Sequence, residues 1–100
     1  AIDDAAFRKR FAGTPVKRTG RDRIVRNALI AAGNSRDASH VPAIISLLRD
    51  GSPLVRAMAV WALARLAPAS TLRALKARYF AAEADEDVRA EWKFTETQPL

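Results

Sequence analysis

The stretch from Gly13 to Asn27, GTPVKRTGRDRIVRN, is rich in the residue types that bind phosphate groups. It carries five Lys or Arg side chains and a single acid, Asp22. A basic cluster of this density attracts polyanions, and arginine can hold a phosphate with two parallel hydrogen bonds. Nucleic acid is therefore the first partner class that the stretch indicates, and a basic face that contacts only solvent is the alternative.

The other reactive residue types predict no catalytic centre. The chain has no cysteine, so this segment can hold no thiolate zinc site and no iron–sulfur cluster, and it has no cysteine nucleophile. His40 stands alone before a predicted helix, and we interpret it as a solvated or capping residue. The acids Asp85, Glu86 and Asp87 are typical of the first turn of a helix, where they complement its dipole. We expect no catalytic residue, metal, cofactor or small-molecule substrate for this segment alone.

The composition of the 100-residue chain predicts one globular domain. Hydrophobic residues make up 49% and charged residues 28%, with a net charge of +6 that is concentrated in the N-terminal third. We expect a cytoplasmic protein without membrane contact, because the sequence shows neither a membrane span nor a signal peptide. The single methionine is Met58, and we interpret the chain as a segment of a longer one.

Apolar residues recur at helical spacing, and strand alternation is missing. The spacing and the cap residues predict six helices: Asp3 to Phe11; Gly20 to Gly33-Asn34, capped by Thr19; a third helix led by Pro42 and closed by Asp50-Gly51; a fourth led by Pro53 and capped by Ser52; a fifth capped by Ser70; and a sixth from Asp85 towards Phe94.

Two of these helices have informative apolar patterns. The second helix has a predicted core-facing stripe of Ile24, Val25, Ala28, Leu29 and Ala32, with Arg23, Arg26 and Asn27 on its opposite face. The fourth helix, PLVRAMAVWALARLA, is polar only at its two arginines, which predicts that other helices surround it.

Three Val-Arg pairs indicate an internal repeat. They are Val25-Arg26, Val55-Arg56 and Val88-Arg89, 30 and 33 residues apart, and each is followed closely by alanine. Two of the units also share a leading acid, in DGSPLVRA and DEDVRA. The pattern predicts an all-α, right-handed array of antiparallel helical hairpins of the short HEAT-like type. We expect the recurrent charges to be structural, bonding between neighbouring repeats: Arg26, Arg56, Arg89, Asp50 and Asp85.

The segments GTPVKRTGRDRIVRNALIAAGNS and LLRDGSPLVRAMAVWALARL together resemble the C-terminal HEAT-like region of epoxyqueuosine reductases, over about residues 7 to 67. The resemblance implies a parent oxidoreductase that carries cobalamin and iron–sulfur clusters and reduces epoxyqueuosine to queuosine in the tRNA anticodon. It also implies that residues 1–100 form one domain in the C-terminal part of that enzyme. The cluster ligands would be cysteines of a preceding domain, because this segment has none.

Two functions agree with the basic stretch. In the first, the domain docks the tRNA anticodon stem-loop, with phosphate or ribose contacts from Lys17, Arg18, Arg21, Arg23 and Asn27. In the second, the array is a protein-interaction scaffold, and GTPVKR fastens it to its own upstream catalytic domain or to another protein. Exposed basic side chains would favour the first function, and burial beside carboxylates of another domain would favour the second.

Overall fold

The computed structural model describes residues 20–95, and these residues form helices and turns without a β-strand. The predicted helix over residues 3–11 and the predicted Thr19 cap lie outside this range. The α-helices are α1, Gly20–Asn34; α2, Val41–Ser46; α3, Pro53–Leu66; α4, Ala69–Tyr79; and α5, Glu86–Phe94. Two short 3₁₀ turns, Ala38–His40 and Leu47–Arg49, flank α2.

Helix α3 lies at the centre of the described fold, as its apolar sequence predicted. Residues 57–63 are buried, and α3 contacts all four other helices. Trp61 and Met58 fill the core from α3, while Leu29 of α1 and Trp92 of α5 close it on two sides. Trp92 is buried, so it packs within the array and does not present its ring to a base.

The predicted starts of two helices are confirmed. The Ser52 hydroxyl accepts a hydrogen bond from the Val55 N–H at 3.4 Å, and Pro53 occupies the first turn of α3. The Asp85 carboxylate accepts from the N–H groups of Asp87 and Val88 at 2.9 and 3.0 Å. Each cap satisfies backbone donors that the first turn of a helix leaves unpaired.

The predicted start of α4 is wrong. This helix begins at Ala69, so Ser70 lies inside its first turn. Pro68 occupies the N-cap position, with φ −59° and ψ 151°, and it makes no cap hydrogen bond because its side chain has no polar atom.

The predicted core-facing stripe of α1 is also wrong in part. The side of α1 that is buried carries Asp22, Arg26, Leu29 and Gly33, whereas Ala28 is exposed and Ile24 is 71% exposed. Gly33 explains this rotation, because a Cβ atom at this position would lie 2.5 Å from Cζ3 of Trp61. The bulk of Trp61 therefore fits only against the side of α1 that has no side chain there.

Candidate nucleic-acid interface

Three of the five predicted RNA-binding residues lie on α1 in the described part of the chain. We name Arg21, Arg23 and Asn27 the α1 surface, and all three are exposed. Lys17 and Arg18 lie outside the described residues. Arg21 and Arg23 lie in the first turn of the helix, where the helix dipole favours anions, and Asn27 lies one turn further on.

Arg21 is bound to a carboxylate of the next repeat. Its Nη2 and Nη1 donate to the two oxygens of Asp50 at 2.5 and 3.2 Å, and Nη1 also donates to Asp22 at 3.3 Å. The hydrogen bond with Asp50 raises the pKa of Arg21 and lowers the pKa of Asp50 from their ordinary values. The Arg21 side chain is still 57% exposed to solvent.

Arg23 and Asn27 lie one turn apart on the exposed side of α1. No carboxylate among residues 20–95 forms an ion pair with Arg23, so its charge is available to an anion. The Asn27 Oδ1 accepts two hydrogen bonds from Arg26, at 3.0 and 3.3 Å. These bonds use the amide oxygen and orient the amide, whose NH₂ group can donate to phosphate or ribose oxygens.

Arg26 does not project away from the core as the helical wheel predicted, because it is only 7% exposed. Arg26 lies on the buried side of α1, because α1 packs against Trp61 of α3 through Gly33 on that same side. Its interpretation as a structural residue agrees with this burial, but its hydrogen bonds go to Asn27 and not to a neighbouring repeat.

The second and third repeats share an arrangement of hydrogen bonds around their arginines. Arg56 Nη1 donates to the Asp50 carbonyl at 2.8 Å, and Arg89 Nη1 donates to the Glu83 carbonyl at 3.1 Å, each six residues back. Arg56 also binds the carboxylate of Glu83 with Nε and Nη2 at 2.9 and 3.0 Å, which joins two repeats. The bridging role predicted for Arg56 and Asp50 is therefore present.

Two of the predicted structural residues have other roles. The residue equivalent to Asp50 is Glu83, because each accepts from the N–H two residues later, at Ser52 or Asp85. Asp85 is therefore equivalent to the cap Ser52 and does not bridge repeats. Arg89 donates to the Glu83 carbonyl in its own repeat and to the carbonyl of Phe80, which ends the preceding repeat, and it lies 4.1 Å over the Phe80 ring.

The sequence interpretation missed two residues that matter for the site. Ile24 is the one large hydrophobic side chain that is exposed in the described range, and it lies beside Arg23 on α1. Arg65 donates from Nε to the Gly33 carbonyl at 3.0 Å and lies 5.3 Å over the Trp61 ring, so it caps the end of α1. No local pattern distinguishes Arg65, because its partner lies 32 residues away.

The other polar candidates do not form a reactive site in the described part. The His40 Nε2 lies 3.7 Å from Asp37 and its side chain makes no cap hydrogen bond, so the solvated interpretation holds and the capping one does not. Between residues 20 and 95, no three His, Asp or Glu residues are grouped to hold a metal ion. Within the same range, each helix is too short or too polar to cross a membrane.

The stacked helices and the repeated hydrogen bonds around Arg56 and Arg89 are those of a helical-repeat protein, and comparison with known protein families gives the same class. The family of HEAT repeats matches residues 18–92, so the chain belongs to that family. No solved structure matches the chain significantly.

Curated relatives include epoxyqueuosine reductases. The chain is 39% identical over 66 residues to the epoxyqueuosine reductase of Xanthomonas campestris pv. campestris, covering 65% of this chain and 19% of that protein. It is 28% identical over 92 residues to the epoxyqueuosine reductase of Bacillus subtilis, covering 91% and 24%. An "Uncharacterized protein in gldA 3'region" of Geobacillus stearothermophilus is 32% identical over 91 residues, covering 90% and 42%.

The chain thus spans less than half the length of each of these relatives. The resemblance to epoxyqueuosine reductases is confirmed for this part of their length, and the all-α, HEAT-like fold class is confirmed as well.

Proposed function

We propose that this chain is the tRNA-docking domain of an epoxyqueuosine reductase and that its α1 surface contacts the anticodon stem-loop. The similarity to three epoxyqueuosine reductases supports the enzyme family. The observation that carries RNA docking is the exposed pair Arg23 and Asn27, one turn apart at the positive end of α1. Lys17 and Arg18 extend the same basic stretch along the chain.

The chemistry of the α1 surface suits the backbone of folded RNA. Arg23 offers a charged planar fork without a competing carboxylate in the described range, and Asn27 offers an amide donor held by Arg26. Folded RNA is recognised largely through phosphates, shape and 2′-hydroxyls, which such donors bind. Arg21 contributes less, because both of its terminal nitrogens already donate to Asp50.

The proposal assigns the reaction to the rest of the longer enzyme. Reduction of epoxyqueuosine with cobalamin and iron–sulfur clusters requires cluster ligands, and this segment has no cysteine to supply them. The domain would position the tRNA, and would itself contribute no reacting group, metal or cofactor.

The proposal is tested by binding of the chain to an anticodon stem-loop RNA as a function of salt. Each of Lys17→Gln, Arg18→Gln and Arg23→Gln should weaken binding and reduce the slope of log K against log salt by about one unit. Lys93→Gln is the matched control, because Lys93 is also exposed but lies on α5. Unchanged affinity and slope in all three variants would contradict RNA docking through this stretch.

Ile24 favours a second candidate function, in which α1 packs on a catalytic domain or partner protein. An apolar side chain that is 71% exposed beside Arg23 suits the centre of a protein interface better than a phosphate contact. Under this function, Ile24→Ser would weaken attachment of the domain within the longer enzyme and leave the salt slope for RNA unchanged. Loss of RNA affinity in Ile24→Ser equal to that in Arg23→Gln would contradict it.

A further inference from the structure

Helix α4 is a second concentration of positive charge, far along the chain from the basic stretch. It contains Arg73, Lys76 and Arg78 and no acid, and the sequence has no Asp or Glu between Gly51 and Ala82. The apolar residues Leu72, Leu75 and Tyr79 pack against the core from the other side of α4. One side of α4 therefore packs on the core, and Arg73 and Arg78 lie on the exposed side.

The exposed side of α4 has a composition unlike that of a protein interface. It consists of Arg73 and Arg78 with the small residues Ser70, Ala74 and Ala77 between them. The two arginines are five residues apart, about 7.5 Å along the helix axis. Neither forms an ion pair within residues 20–95, and Arg78 lies 5.6 Å over the Tyr79 ring. A protein interface needs a desolvated apolar or aromatic centre, which this side of α4 does not offer.

A third exposed arginine lies near the C-terminal end of α4. Arg49 is exposed, and it lines a cleft of about 280 Å³ together with Tyr79 and Ala82 at the end of α4. Two carboxylates, Asp50 and Glu83, also line the cleft. They are bound to Arg21 and Arg56, so the charge of Arg49 is not cancelled by an ion pair there.

We propose that Arg49, Arg73 and Arg78, which we name the α4 surface, bind RNA phosphates at a second place on the domain. The inference rests on the proposed function, and it extends the RNA footprint from α1 to the helix on another side of α3. Arginine forks bind phosphate oxygens in pairs, and the small residues between Arg73 and Arg78 let a backbone approach the helix closely.

The test compares two sets of variants in the same salt titration with the anticodon stem-loop RNA. The combined variant Arg49→Gln, Arg73→Gln and Arg78→Gln should bind more weakly, with a slope shallower by about one unit per replaced contact. Lys93→Gln is again the control. Glutamine keeps a helix propensity close to that of arginine, and a thermal melt checks that the fold is intact. In ¹⁵N-labelled unmodified chain, RNA should shift the amide signals of residues 70–78.

The outcomes separate this inference from the function on which it rests. If the α1 variants lose affinity but the α4 variant keeps both affinity and slope, the α4 surface does not bind RNA and the docking proposal stands. If the α4 variant alone loses affinity, the α4 surface is confirmed and docking through α1 is wrong. If neither set changes binding, both proposals fail. If the α4 variant loses binding to poly-glutamate but keeps its affinity for RNA, the α4 surface serves an acidic protein and the inference is overturned.

Discussion

Helix α3 packs against α1 and against α5, and we call these two interfaces the first and the second seam. Each seam has an arginine–carboxylate pair, but the arginines differ in their exposure to solvent. At the seam with α1, the Arg21 side chain is 57% exposed, while the side chain of its partner Asp50 is 10% exposed. At the seam with α5, Arg56 reaches Glu83, and these side chains are only 19% and 10% exposed. The two carboxylates are equally buried, so the pairs differ in their arginines: water screens the exposed Arg21 more than it screens Arg56.

The two seams also differ in whether the arginine of the Val-Arg pair forms the bridge between repeats. Arg56 occupies the Val-Arg position and bridges to the acid of the next repeat. Its equivalent in α1 is Arg26, but the residue that bridges to Asp50 is Arg21, from one turn earlier. The first seam also contains the close packing of Gly33 against Trp61 and the hydrogen bond from Arg65 to the Gly33 carbonyl. A sequence repeat therefore preserves the packing of helices more faithfully than it preserves the residue that forms each bridge.

The largest expected effect comes from the aromatic side chain that fills the first seam. Trp61→Ala should reduce the free energy of unfolding by about 3–5 kcal/mol, because Trp61 is 1% exposed and its loss leaves a cavity. Thermal and denaturant unfolding of the purified chain measure this change. A melting temperature within a few degrees of the original would contradict the central place of α3.

The next effect tests the close approach of α1 to α3. Gly33→Ala places a Cβ 2.5 Å from Trp61, so we expect a loss of about 1–3 kcal/mol from overpacking. Gly51→Ala is the matched control, because nothing lies within 4 Å of a Cβ there and Gly51 has no positive φ. Equal melting temperatures for the two variants would show that Trp61 does not fix the rotation of α1.

The comparison of the two charge pairs predicts an effect of similar size. Arg56→Gln should cost about 1–3 kcal/mol, because it leaves the half-buried Glu83 carboxylate and the Asp50 carbonyl without their donor. Arg21→Gln should lower the melting temperature less, since the Arg21 side chain is 57% exposed and water can replace its guanidinium at Asp50. The same denaturant titration measures both variants, and a larger loss in Arg21→Gln would reverse the ranking of the seams.

The sequence was sufficient to predict the features that depend on local pattern. Helical periodicity predicted α1 to α5, the scarcity of polar residues in α3 predicted its central place, and Ser52 and Asp85 predicted two helix starts. These signals are read within a few residues of where they act. The family resemblance depended on longer motifs, and it was confirmed by the alignments.

Features that depend on contacts between distant residues could not be predicted in the same way. The rotation of α1 is decided by Gly33 against Trp61, 28 residues later, so the local apolar stripe placed Ile24 wrongly in the core. The partner of Arg21 lies 29 residues away and that of Arg65 lies 32 residues away. The sequence repeat aligned Asp85 with Asp50 because both are aspartates. The hydrogen bonds show that Glu83 is the equivalent of Asp50, because Asp50 accepts from the Ser52 N–H and Glu83 accepts from the Asp85 N–H.

The smallest expected effect is a change in acid stability at the first seam. The hydrogen bond from Arg21 lowers the pKa of Asp50, and the Ser52 N–H lowers it further. Because the folded pKa lies below the unfolded value of about 3.9, the contribution of Asp50 is fully present above that pH. It is lost as the pH falls through the depressed folded pKa. Arg21→Gln should raise the pKa of Asp50 towards its ordinary value, so less stability remains to be lost on acidification.

Carboxyl NMR titration of Asp50 in both proteins, from neutral pH to about pH 2, measures this change directly. Asp37 is the internal control, because the hydrogen bond with Ser39 lowers its pKa and Arg21 takes no part. Its titration should be the same in both proteins. If Asp50 titrates identically with and without Arg21, the bridge does not persist in solution. Arg21 would then be available, with Arg23, for the RNA contact proposed for α1, and only the second seam would contain a lasting ion pair.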